Sequence, residues 1–324
     1  VNVAAPLTSR RHLNLPGVKV NLPPLTQKDR ADIEVGVEEG VDFFALSFVR
    51  EANDLDLLRR VLTDHKSHAR IIAKIEDQSG IENLDEIIAA SDGLMVARGD
   101  LGIECPFEEL PIIQRRCIQQ CIIHRKPVIV ATHMLESMIH SPVPTRAEVS
   151  DIATAAYDQA DCIMLSGETT SGKYPLECVQ TMQRIVRRIE EAGELRPAPM
   201  PLLKTHKDKL LAAAARLAEE DHHSGILVFT RNGNLPAVLS ALRPRHCPIY
   251  AFTDVETVFK QLLLHWGVEP FHMEFSKDYE QTILNAFQYL KRKDWIQDKD
   301  WLVIVTNVIM GEKLIDTIQL REVE

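Results

Sequence analysis

Lys74 and Glu76 stand two residues apart at the end of an apolar run, Ile71-Ile72-Ala73-Lys74-Ile75-Glu76, and a second run, Gly93-Leu94-Met95-Val96-Ala97, ends in Arg98-Gly99-Asp100. Side chains at i and i+2 of a strand share a face, so the lysine and the glutamate point the same way. Such a pair is either a structural ion pair or a cation set beside an oxygen ligand for chemistry on an anion. The Gly-Asp adds backbone N–H groups that can grip an anion and a carboxylate that, with Glu76, makes a two-carboxylate Mg²⁺ site; the alternative for Asp100 is a plain helix cap. Thr132 and Ser166-Gly167-Glu168 end two further apolar runs in the same manner. Thr132 is a cap or a hydroxyl that orients water or substrate, and His133 reads as a hydrogen-bonded support rather than a base. Polar residues ending successive strands line one rim, where parallel α/β folds build their chemistry.

Continuous apolar runs separated by amphipathic segments predict buried parallel strands joined by helices. Strands are expected at 43–49, 70–76, 93–98, 127–132 and 162–166, with helices at about 53–66, 80–90, 108–125, 146–159 and 175–192. This alternation predicts a parallel α/β sheet or barrel, three strands short of an eight-stranded one. Ahead of it, Asn14-Leu15-Pro16-Gly17 is turn chemistry, and Thr26 with Asp29 three residues on is a capping signal for a helix. Pro197, Pro199 and Pro201 mark a linker. Beyond it, helices at 207–220, 235–242, 255–266 and 279–292 alternate with strands at 225–230, 248–253, 268–273, 301–306 and 314–320, a smaller open α/β sheet. The expected division is 1–195, a linker at 196–204, and 205–324.

The 324 residues exceed the size at which single cores stop growing, which also favours two domains. A net charge of −10 argues against a nucleic-acid partner and requires positive potential to be concentrated locally, which draws attention to Lys74. No apolar run approaches a membrane span, so no membrane partner is expected. Six cysteines without CxxC pairs argue against disulfides and structural zinc, and point to the cytoplasm. Val1 opens directly into Asn2 with no initiator methionine, so the chain reads as cut from something longer.

Five stretches together carry a resemblance: Ala73-Lys74-Ile75-Glu76, Met95 to Glu104 around Arg98-Gly99-Asp100-Leu101-Gly102, Ala131-Thr132-His133-Met134-Leu135-Glu136-Ser137-Met138, Pro144-Thr145-Arg146-Ala147-Glu148, and Met164-Leu165-Ser166-Gly167-Glu168-Thr169. With Leu46-Ser47-Phe48-Val49-Arg50 they resemble pyruvate kinase, collinearly from about Leu13 to Ala192 and more loosely beyond. The resemblance implies the last five strands of a TIM (β/α)₈ barrel, followed by a smaller α/β regulatory or oligomerisation domain. It implies phosphoryl transfer from phosphoenolpyruvate to ADP, giving pyruvate and ATP, with Mg²⁺ (or Mn²⁺), often a monovalent cation such as K⁺, and a homotetramer with contacts near Pro144 to Glu148.

Carried over by the resemblance, Lys74 stabilises charge on the migrating phosphoryl group and the enolate oxygen. Glu76 and Asp100 ligate Mg²⁺, backbone N–H groups around Gly99 and Asp100 hold the substrate carboxylate, Thr132 faces the carbon that gains a proton, and Ser166 and Glu168 belong to the proton relay.

Three departures stand out. His133 replaces the family's usual Gln. Thr230-Arg231-Asn232-Gly233-Asn234 replaces the hydroxyl- and arginine-bearing effector loop, leaving an anion site there possible, and residues 306–313 lack the family's Trp-Arg-Pro-Gly series, so activation by fructose 1,6-bisphosphate is not expected. The first three barrel strands, the lid domain and the ligands for nucleotide and K⁺ are not in this chain, so the isolated fragment is expected to be inactive. The rival reading is a truncated, catalytically silent relative acting as a binding or regulatory subunit, and a weaker one is another phosphoenolpyruvate- or pyruvate-handling barrel lyase.

Overall fold

The computed structural model describes residues 23–220, 225–310 and 313–324; the turn expected at Asn14 to Gly17 lies outside them. Five parallel strands, β1 (Phe43–Leu46), β2 (Arg70–Ile75), β3 (Gly93–Ala97), β4 (Val128–Ala131) and β5 (Cys162–Met164), lie side by side in chain order. Each is joined to the next through helix, as the alternation predicted. The helix Gln27–Glu38 begins where the sequence says it should, with Thr26 and Asp29 exchanging side-chain and backbone hydrogen bonds in a capping box.

The pleat sorts the strands into two faces. Ile71, Ala73, Ile75, Leu94, Val96, Val128 and Val130 pack beneath the helices, together with Leu55, Ile87 and Ile118. On the other face Ile72, Met95, Ile129 and Ala131 form a separate cluster with Phe43, Cys162, Met164 and Leu264. Lys74 follows Ile72 on this second face.

Several elements differ from expectation. The helix expected over 80–90 is two helices, Gln78–Glu82 and Leu84–Ala90, broken at Asn83, whose side-chain amide donates to the Arg50 carbonyl at 2.7 Å. A helix over Arg98–Glu104 follows β3 directly, before the expected one at Leu110–His124. The last two strands, β9 (Trp301–Met310) and β10 (Lys313–Glu322), extend into the expected loop at 306–313 from its two ends as an antiparallel pair, because each supplies the other's ladder hydrogen bonds.

With β6 (Gly225–Phe229), β7 (Ile249–Thr253) and β8 (Val268–His272), these form a second sheet in the order β10-β9-β6-β7-β8. The two sheets meet through polar contacts at strand beginnings. Gln261 Nε2 donates to His68 O at 3.0 Å and Arg70 Nη2 to Asn232 O at 3.3 Å, both at the start of β2. Asp161, just ahead of β5, holds Arg243 at 2.9 Å.

Candidate active site

The carboxyl ends of β2, β3, β4 and β5 bring the sequence-selected residues to one rim. Lys74 Nζ lies 2.6 Å from Glu76 Oε1 and 2.8 Å from Ser47 Oγ, so the same-face expectation holds. Glu76 is buried, and its other oxygen accepts the Phe48 N–H at 2.7 Å. Ser47 follows β1, which the order of strands sets beside β2.

Asp100 occupies the third position of the Arg98–Glu104 helix rather than its cap, which is Ala97. Its carboxylate is half-buried and has no protein partner among the described residues. Oxygen-only donors with one carboxylate free suit Mg²⁺, which takes one or two carboxylates and fills its remaining positions with water and substrate oxygens. Among the described residues no group of three or more His, Cys, Asp and Glu is poised for a metal, and with both Glu76 oxygens engaged by Lys74 and Phe48 the free carboxylate is that of Asp100.

Gly99 and Thr132 are in direct contact. The Gly99 N–H donates to Thr132 Oγ1 at 2.7 Å, and that hydroxyl donates to the Ala131 carbonyl at 2.6 Å. A Cβ at Gly99 would stand 3.4 Å from both Thr132 Oγ1 and His133 Cε1, so these two side chains lie over the Gly-Asp turn. The Gly99 N–H expected to grip a carboxylate is therefore directed at Thr132.

Glu168 is buried beside this group, with Oε1 accepting the Leu135 N–H at 3.0 Å and Oε2 the Ser166 N–H at 2.8 Å. Both oxygens tie backbone, so the carboxylate frames the turn after β4. Ser166 is half-buried, and its hydroxyl has no protein partner among the described residues.

Two participants escaped the sequence reading. Ser47 was visible only as part of a matching stretch, and Arg98 only as the residue before Gly99. Arg98 donates from Nε and Nη2 to Thr132 O, at 3.2 and 2.9 Å, and from Nη2 to His133 O at 3.0 Å. Burial pushes its guanidinium below the ordinary value, and Asp151, 3.4 Å away, offsets part of that.

The possible effector site is closed on itself. Thr230 Oγ1 accepts the N–H of Gly233 at 2.9 Å, Asn232 Oδ1 accepts that of Asn234 at 3.1 Å, and Arg231 is paired with Asp254 at 2.7 Å.

A parallel sheet flanked by helices, with a lysine, carboxylates and a hydroxyl at its carboxyl rim, defines a site of the β/α-barrel class. Residues 1–179 match the family model described as pyruvate kinase, barrel domain, and residues 208–320 match pyruvate kinase, alpha/beta domain. Pyruvate kinase isozyme G of Ricinus communis, chloroplastic, is 43% identical over 323 residues, covering 98% of this chain and 77% of that protein. Pyruvate kinase of Geobacillus stearothermophilus is 43% identical over 311 residues, covering 94% of this chain and 53% of that one. A crystal structure of a pyruvate kinase from Cryptosporidium parvum superposes with a TM-score of 0.88 at 34% identity, covering 96% of this chain and 65% of the other. The chain belongs to the pyruvate kinase family. It spans about half the length of most of the curated relatives it matches, 53% to 56%. Among the described residues, no helix is long and apolar enough to cross a membrane.

Proposed function

We propose that this chain carries the enolpyruvate- and Mg²⁺-handling part of a pyruvate kinase site, for phosphoryl transfer from phosphoenolpyruvate to ADP giving pyruvate and ATP. The observation that carries the reading is Lys74, held by Ser47 and Glu76 on one rim with Asp100 and Thr132. Lys74 stabilises negative charge on the phosphoryl group and the enolate oxygen, which suits a reaction governed by positioning and charge. Glu76 and Asp100 hold Mg²⁺, which when bound neutralises charge on substrate oxygens. Thr132 offers its hydroxyl to the carbon that gains a proton. Ser166 belongs to the proton relay, while Glu168 fixes the turn that presents Thr132. Backbone N–H groups around Gly99 and Asp100 bind the substrate carboxylate, with the Gly99 N–H itself staying on Thr132.

The reading extends to the division at 196–204, a homotetramer, a cytoplasmic setting and K⁺ held by residues other than those assigned here. Exposed Val143 and Val149 flank Pro144 to Glu148, the segment assigned to subunit contact.

The second reading is a catalytically silent binding or regulatory subunit. The chain completed with the preceding barrel strands and lid domain of a family member, assayed with phosphoenolpyruvate, ADP and Mg²⁺ alongside its Lys74→Met variant, separates the two. Turnover that falls by about 10²-fold or more in the variant supports the first reading. Near-normal turnover in Lys74→Met sinks the role of Lys74, and a completed wild-type chain without turnover favours the silent subunit.

A further inference from the structure

Thr132 and His133 have φ angles of 72° and 54°, two successive non-glycine residues in the left-handed region, and the first of them is β-branched. Each such residue is strained relative to ordinary backbone, and a β-branched one is an outlier. Strain of this kind persists only where the surroundings over-determine it. From the geometry around this turn we propose that Arg98 is a positioning residue, holding the Thr132–His133 backbone in the left-handed conformation that presents the Thr132 hydroxyl. The proposal rests on the role given to Thr132 in the proposed reaction.

The kinked backbone directs the Thr132 and His133 carbonyls at one guanidinium, Nη2 reaching both, at 2.9 and 3.0 Å, and Nε reaching the first. A planar fork serves two acceptors at fixed separation, and an ammonium on a flexible stem does not. Arg98 is itself immobilised. Its side chain is 10% exposed, it begins the helix that follows β3, and Asp151 contacts Nη1 on the side away from the carbonyl donors. From the opposite flank, Glu168 accepts the N–H of Leu135, so the turn after β4 is gripped from the ends of both neighbouring strands. The Gly99 N–H on Thr132 Oγ1 then fixes where the hydroxyl lies. A role confined to neutralising Asp151 fails to explain these contacts, because that carboxylate is 52% exposed and 3.4 Å away.

The test uses the full chain, completed in the same way for the kinetic readouts, with Arg98→Met, Arg98→Lys and Thr132→Ala singly and Arg98→Met combined with Thr132→Ala. Arg98→Met is expected to lower kcat about 10²-fold, the usual consequence of a small misplacement, while KM for phosphoenolpyruvate moves less than about threefold. Arg98→Lys recovers only part of the loss. In the Thr132→Ala background, Arg98→Met costs under about threefold more, since a residue acting through another gives non-additive effects. Amide exchange at 133–135 should quicken in Arg98→Met while the β4 amides keep their protection. Multiplicative kinetic effects, or unchanged exchange at 133–135, overturn the assignment. A wild-type chain without turnover counts against the proposed reaction alone, and the exchange comparison then decides the place of Arg98. Should Arg98→Met not fold, Arg98→Lys carries the same comparison.

Discussion

Asp161 and Arg243 form an ion pair of 2.9 Å whose side chains are 2% and 3% exposed, so the two sheets are joined by charges shielded from water. Asp161 also accepts the N–H groups of Val128 and Trp266, each at 3.0 Å, one from the first sheet and one from beside the second. Arg243 reaches the Gln159 and Ser240 carbonyls and lies over the Trp266 ring at 5.4 Å. The carboxylate sits directly ahead of β5, whose far end carries Ser166, so the join to the second sheet is built at the opposite end of that strand from the site.

The two partners are not equivalent, which gives the first prediction. Asp161→Ala strands a buried guanidinium together with two backbone N–H groups, and is expected to cost about 3–5 kcal/mol. Arg243→Met leaves Asp161 with both N–H donors and fills the space with apolar volume, so it costs less. Urea unfolding of the two variants checks this, and equal losses would refute the asymmetry.

His265 lies in the same junction, buried, with no partner for Nε2 among the described residues. Burial pushes its imidazole down to about 4; Asp161 opposes the shift, and Arg70 and Arg243 add to it. The folded chain therefore holds this histidine neutral, while the unfolded chain protonates it below about 6.5. Stability from this group is present above that value and falls as pH drops towards about 4, by about 3 kcal/mol in all. Denaturation curves from pH 7 to 4 for wild type and His265→Asn give the share belonging to this residue, because carboxylates titrating in the same range are common to both. An undiminished slope in the variant would remove His265 as the cause.

Much of this was legible in the chain because the signals are local. The run from Ile71 to Ala73 is apolar on both faces, as a strand covered on both sides must be, and its polar exit puts Lys74 and Glu76 at the rim. Thr145 with Glu148, like Thr26 with Asp29, forms a complete capping box. What stayed hidden depends on which strands become neighbours. Ser47 and Lys74 are 27 residues apart, and Arg98 and Thr132 are 34 apart. No periodicity announces such contacts. The left-handed backbone at Thr132 was hidden for a related reason, since threonine is a poor residue for that conformation and only its distant partners hold it there. The strands β9 and β10 run past their expected ends because Asn307 and Gly311-Glu312-Lys313 interrupt the apolar run in the sequence, while cross-strand pairing decides the outcome.

Gly233 tests the contact between β2 and the Thr230 to Asn234 turn. Its φ is 76°, and an added Cβ would stand 3.1 Å from Arg70 Nη2, the atom that donates to Asn232 O. Gly40 supplies the comparison, with φ 68° and nothing within 4 Å of such a Cβ. Alanine at either position carries the left-handed penalty of about 1–2 kcal/mol. Only Gly233→Ala must also displace a guanidinium from its carbonyl, so its loss should exceed that of Gly40→Ala. In an Arg70→Ala background the two losses should converge, because the steric partner is gone and the backbone penalty alone remains. Thermal or urea unfolding of these variants reads the difference directly. If the excess at Gly233 persists without Arg70, the arginine is not what the turn leans on.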